Sequence, residues 1–224
     1  MDAFVTNRGM KIILGSALAD SGTPANWKMA LCMAKDSQNL DTDAAVDKGG
    51  GKVGIQLDAH GFSVGSRVVI EGTTNYEGAY LVDEDTTTNE IVIVATYAAE
   101  TPDGSETVHE SPSFDTNTLS DLDEIAVGNG YNAGGATVAR DVTTGFNAPA
   151  EDDDDDFANI QLQNVTFTAS GGTIPSSGEG ARYAVLTDAS GNVIVWWDLG
   201  SDNSVSHTQT LQIQSAEIKM EPAV

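Results

Sequence analysis

The sequence predicts a mainly β protein: an antiparallel β-sandwich of jelly-roll-like build, over 1–47 and 101–224, that carries a small inserted β-barrel over 48–100. Three patterns predict it. Between Lys48 and Glu100, four runs (Val53–Leu57, Ser66–Glu71, Gly78–Val82 and Glu90–Ala95) recur about every ten residues with turn residues between them, which is the spacing of a small barrel. Ala181–Leu186 and Asn192–Trp197 flank Asp188-Ala-Ser-Gly191, the strongest hairpin signal in the chain. Thr208–Gln214 alternates polar and apolar residues, as a half-buried strand does.

Along the chain, the opening carries Phe4-Val5-Thr6 and then Met10–Leu14, an apolar run that fits either a strand or a short helix ended by Gly15. After the Ser21–Pro24 turn, Trp27–Met33 reads as a half-buried or fully buried strand, and Asp36–Lys48 as a polar surface connection. Gly49-Gly-Gly51 reads as a hinge into the inserted module, and Thr101–Asp115 as a linker out of it. Leu119, Leu122, Ile125 and Ala126 stand at helical spacing for one or two turns, with Asp115, Thr118 or Ser120 to cap them. Ile160-Gln-Leu162 and Val165-Thr-Phe167 alternate out of phase, so a bulge or change of face is expected near Gln163-Asn164. The end from Ser215 reads as a polar tail.

Four glycines in the eight residues Gly128–Gly135 mark a corner where the backbone takes conformations other residues resist. Gly128-Asn-Gly130-Tyr-Asn-Ala133 also satisfies the loose dinucleotide fingerprint, which needs a helix after it to receive a pyrophosphate. The short β-branched run Ala136–Val142 that follows argues against that reading.

Composition narrows function. A chain of 224 residues can bury roughly 70% of its unfolded surface, enough for a core without disulfides. The single Cys32, inside Met29–Met33, reads as a small buried hydrophobe rather than a nucleophile. Acidic residues outnumber basic ones 34 to 10, for a net charge of -24, which disfavours nucleic acid and anionic membranes. Such a charge suits a partner with a basic face, a site that gathers cations, or a solvent salty enough to screen self-repulsion. No signal peptide or membrane span is expected from Met1-Asp-Ala and apolar runs this short, so Asn164-Val-Thr166 reads as a chance sequon.

Catalytic signals are thin. His60, His109 and His207 lie far apart, without the pairing a zinc site needs, and read as surface residues. Neither Ser63 nor Ser190 has a nucleophile elbow around it, and although carboxylates are plentiful enough for a glycosidase pair, the chain is short for the usual carbohydrate cleft beside this loop content. In the acidic run Glu151–Asp156, Asp152, Asp154 and Asp156 share one face if extended and are the only candidates for a weak divalent-cation site. A solvated loop is the simpler reading, because neighbouring Asp side chains point apart. No catalytic residue and no cofactor is expected. Trp196 and Trp197 must face opposite sides of their strand, so one is a candidate subunit contact, as are Tyr131 and Phe4; core packing of both tryptophans is the alternative.

Leu119-Ser-Asp-Leu122, Gly128–Gly135, Ala181–Leu186 and Trp197-Asp-Leu-Gly-Ser201 together resemble a family of small tailed-phage virion proteins. In that family a Trp-Lys-Met-Ala-Leu-like strand, here Trp27–Cys32, precedes a "GTGY-x-x-GG" corner, an "ARYAV" strand and a "DFG" strand end. This chain has Asn129 for Thr and Leu199 for Phe. His60–Gly65 with Thr74–Gly78 is similar to a small β-barrel unit of phage structural proteins, "HGFxxGDxVxIxGT…NYxGxY", with Ser66 in place of Asp. That likeness implies corners at Gly65 and Gly78 and a core side for Val64, Val68, Ile70 and Tyr80. Together the resemblances imply a non-enzymatic virion protein, formed in the host cytoplasm, that decorates or cements the capsid. Its partners would be the major capsid protein or other virion subunits, commonly as a homotrimer. A tail, baseplate or collar adaptor and a carbohydrate- or receptor-binding module are the alternatives.

Overall fold

The computed structural model describes residues 3–5, 26–140, 144–147, 150–152 and 157–220. The chain is mainly β and divides into two compact units, Met1–Met33 with Phe114–Val224, and Ala34–Ser113.

The first unit is built on a five-stranded antiparallel sheet: β1 (Ala3–Val5), β15 (Val193–Asn203), β14 (Ala181–Thr187), β2 (Asn26–Cys32) and β10 (Ala136–Ala139), in that spatial order. Facing it are β11 (Ala150–Asp152), β12 (Phe157–Gln161) and β17 (Glu217–Met220) in one sheet, and β13 (Val165–Thr168) with β16 (Thr210–Ile213) in another. Strand alternation sends Trp27, Met29, Leu31, Ala184, Leu186, Val195 and Trp197 to one face, where they meet Val165, Phe167, Ile213 and Ile218 across the sandwich. The opposite face carries Cys32, Tyr183, Val185, Val193 and Trp196, against which Leu119 and Leu122 pack. A register shift between Leu186 and Thr187 explains why Val193 joins one cluster while Ile194 and Val195 both join the other.

The helical spacing at Leu119 yields only one 3-10 turn, Leu119–Asp121, entered from Thr118, whose N–H donates to Asp121 Oδ2 (2.9 Å). It stays short because 123–125 pair with the end of β2: Met33 N donates to Asp123 O (2.8 Å) and Ile125 N to Leu31 O (3.0 Å). The phase change at Gln163-Asn164 is a change of sheet, since β12 pairs with β17 and β13 with β16. The segment after Ser215 is a strand rather than a polar tail, because Ile218 is buried in the core. Met10–Leu14 lies outside the described residues.

In the second unit, β3 (Lys35–Asn39), β9 (Thr107–Glu110), β6 (Arg67–Glu71) and β7 (Gly78–Leu81) form one antiparallel sheet. A second holds β4 (Val46–Gly49), β5 (Lys52–Gln56) and β8 (Glu90–Val94). Val53, Ile55, Val68, Ile70, Ile91, Ile93 and Val108 fill the space between them. The unit is wider than 48–100. Asp36–Lys48 contains β3 and β4, and Thr101–Asp115 contains β9, so what read as connection and linker supplies paired strands. Lys35, at the start of β3, and Glu110, at the end of β9, pair at 2.9 Å. Gly49, Gly50 and Gly51, all at positive φ, form the tip of the β4–β5 hairpin and not a hinge.

Between β7 and β8 the backbone pairing is limited, among the described residues, to Asp83 N donating to Val92 O (2.8 Å). The turn that joins the two strands is tied down by Lys52, whose ammonium lies 2.6 Å from Asp83 and 2.7 Å from Asp85. These bonds hold Lys52 above its usual range, and Lys52 in turn holds Asp83 below the usual carboxylate range.

Candidate functional site

The glycine-rich corner is a two-residue hairpin. Gly128 and Tyr131 exchange both backbone hydrogen bonds (2.9 Å each), and Asn129 (φ 51°) and Gly130 (φ 103°) occupy the two positive-φ positions that an Asn-Gly turn serves. A Cβ at Gly130 would overlap the Thr168 carbonyl oxygen, so here glycine also permits close backbone approach. β10 follows the corner, which therefore has no helix N-terminus to present to a phosphate.

Tyr131 is the pin of this corner. Its Oη accepts from Leu31 N (3.0 Å) and donates to Glu124 Oε1 (2.7 Å), which also accepts from Gly134 N (2.6 Å). Burial, and then Glu124, push the phenol above its ordinary range, so it stays a neutral donor. At 1% exposure Tyr131 is part of the core and not an interface residue.

The tryptophans correct the same expectation. Trp196 is 2% exposed and Trp197 is 0% exposed, because β15 lies between β1 and β14 and apolar side chains cover both faces of the sheet. Trp197 Nε1 donates to Glu217 O (3.1 Å), and Trp196 meets Tyr183 edge-on with ring centroids 5.8 Å apart. Phe4 is paired in β1 opposite Trp196, and only its backbone is described. In the "ARYAV" and "DFG"-like stretches, the buried Arg182 holds Asp198 through Nε to Oδ1 (2.7 Å) and a second nitrogen to Oδ2 (3.2 Å), a bidentate clamp across β14 and β15. Asp188 closes their hairpin, its Oδ1 accepting from Ser190 N (2.8 Å) and Asn192 N (2.9 Å).

Cys32 is buried, and burial followed by the Glu124 and Asp123 carboxylates pushes its thiol well above the ordinary range, away from nucleophile chemistry. Two of the histidines are not surface residues. His60 Nδ1 accepts from Phe62 N (3.0 Å) and Nε2 donates to Thr87 O (2.6 Å), so the ring is a buried tie between two turns. His109 is buried on β9, 3.8 Å from Glu71. His207 is exposed and accepts from Gly171 N (2.8 Å). The structure brings none of the three together with a second candidate ligand set, and no group of three or more metal-ligating side chains occurs among the described residues. Asp152 ends β11, described in its backbone alone, and Asp154 and Asp156 lie outside the described residues.

What the sequence reading missed is apolar exposure in the second unit. Five of the seven exposed large apolar residues among those described, Val46, Val64, Leu81, Val94 and Tyr97, belong to it. Val64, expected in the core, is 58% exposed, and Tyr76 is buried in its stead, its Oη accepting from Ala98 N (2.9 Å). Leu81 and Val94, at 62% and 66%, stand on the two edge strands β7 and β8. The signal was present in Tyr80-Leu81, since adjacent strand residues cannot both face the core.

The chain is thus a two-unit, mainly antiparallel β protein whose assigned polar clusters hold turns and strands together. No family model, no curated protein and no solved structure matches it. None of its described helical structure is long and apolar enough to cross a membrane.

Proposed function

We propose that this is a non-enzymatic structural protein of a tailed-phage virion, with decoration or cementing of the capsid as its role. One observation supports this reading above others: central residues of the resemblance serve architecture. Gly130 turns a hairpin, Tyr131 pins it to β2, and Arg182 and Asp198 clamp two strands. A motif set of this kind favours a family selected for shape and contact surface, since binding partners through β-edges needs a rigid scaffold more than a reactive group. The partners would be the major capsid protein or other virion subunits, in a homo-oligomer.

The carbohydrate-binding alternative is the less supported: the exposed large aromatic residues among those described are Tyr97 and Phe114, one in each unit. Stacking on sugars calls for exposed aromatic faces, and Trp27, Trp196 and Trp197 are all buried. A tail adaptor would share the same fold, and copy number separates the two. Quantitative mass spectrometry of purified particles is expected to give hundreds of copies per particle; a handful would assign the protein to the tail, and none would overturn the virion reading.

A further inference from the structure

We infer that the edge of β7, on parting from β8, is a strand-addition site for an extended, lysine- or arginine-bearing segment of another virion subunit. The inference rests on the proposed structural role and names the chemistry of its partner.

Backbone direction shows which main-chain groups of β7 and β8 line the seam. Val82 N donates to Ser66 O (2.9 Å) and Gly65 N to Val82 O (2.8 Å), so Val82 faces the β6 side. The two-residue period then turns the N–H and C=O of Ala79 and Leu81 to the other side, the side on which Asp83 N reaches Val92 O. On β8, Ala95 N donates to Gly51 O (3.0 Å), which turns Val94 away from β5 and toward the seam. The pairing begun at Asp83 and Val92 sets Leu81 across from Val94 and then stops.

Proteins usually guard such an edge with lysine, proline or a bulge. β7 reads Gly78-Ala-Tyr-Leu81 and has no charge, while Tyr80 packs on the core and leaves Ala79 and Leu81 outward. An added strand would gain main-chain hydrogen bonds from β7 and rest its alternate apolar side chains on Leu81 and Val94.

Charge decides the occupant. The unit holds four Lys and Arg against fifteen Asp and Glu, and Glu77, Glu84 and Asp85 are exposed at the ends of β7. Lys52, the nearby cation on β5, is already held by Asp83 and Asp85. A second copy of a chain carrying -24 would bring like charge to this rim, whereas a basic segment meets opposite charge.

The test is titration of the full-length protein with a synthetic nonapeptide of alternating lysine and valine, followed by amide hydrogen exchange. Binding is expected to saturate and to slow exchange at Ala79, Leu81 and Val94 at least tenfold. It should weaken at least tenfold when the central valine is replaced by proline, when the lysines are replaced by glutamates, or when the protein carries Leu81→Lys with Val94→Lys. Both of those side chains are exposed, and an unchanged melting temperature shows that this variant folds. Equal binding of the proline-interrupted peptide, or no slowing at those three amides, overturns the inference. Assembly of particles with the double variant adds an independent reading. Its loss from particles supports the seam as the gripping surface, and retention at the normal copy number overturns that while leaving the virion role standing. Absence of the unaltered protein from particles overturns the virion role, and the peptide titration still decides the seam.

Discussion

Trp197→Ala is expected to destabilise the sandwich unit by about 3–5 kcal/mol, the range for deleting a large buried aromatic side chain. Trp197 is fully buried between the five-stranded sheet and β17, so its removal leaves a cavity and also strips Glu217 O of the indole donor. Nearby side chains offer little to refill the space, since β14 and β15 are paired on both edges and cannot collapse inward without losing register. The measurement is urea unfolding followed by tryptophan fluorescence. All three tryptophans, Trp27, Trp196 and Trp197, belong to this unit, so the remaining two report on it without interference from the inserted one. A loss under about 0.5 kcal/mol, in the range of surface substitutions, would mean that the sandwich core is not where Trp197 resides.

Gly135→Ala should be comparably damaging, for a backbone reason. Gly135 sits at φ 76°, and a Cβ there would overlap the Met29 carbonyl oxygen and crowd Ala30 Cα, both main-chain groups of the central strand β2 that cannot swing away. Left-handed strain contributes about 1–2 kcal/mol, and forcing β10 from β2 adds about 1–3 kcal/mol of overpacking. Gly134 supplies the control. It has nearly the same φ, 75°, with nothing within 4 Å of the added atom, so Gly134→Ala should show the strain alone. Equal losses at the two positions would contradict the close approach of β10 to β2.

Local chemistry was legible in the sequence, and burial only in part: Cys32, Val68 and Ile70 read as core and are buried. The hairpin at Asp188–Gly191 and the corner at Gly128–Gly135 could be read because their conformations depend on the residues within them: Asp188 caps its own turn, and Asn129-Gly130 accept positive φ. The four runs of the inserted module appear as β5 to β8 almost residue for residue, since continuous β-branched stretches between turns have few other solutions. β3 escaped notice because Lys35-Asp-Ser-Gln-Asn39 has no apolar pattern and is a strand only by pairing with β9, more than sixty residues away. His60 and Tyr131 are buried by distant parts of the chain, Thr87 and Leu31, which no local window contains. The tryptophan pair shows the same limit from the other side. Alternation correctly put Trp196 and Trp197 on opposite faces, but whether a second layer covers each face is a property of the whole fold. Leu81 and Val94 each lie in an apolar run that suggested burial, and only the alternation at Tyr80-Leu81 pointed the other way.

The proposed capsid role is tested most directly by what the protein does for a particle. Purified particles with and without it should be heated or osmotically shocked side by side, and loss of the protein is expected to lower the disruption temperature, with purified protein restoring it on addition. Particles equally resistant in both states, with the protein fully removed, would contradict a role in holding the capsid together.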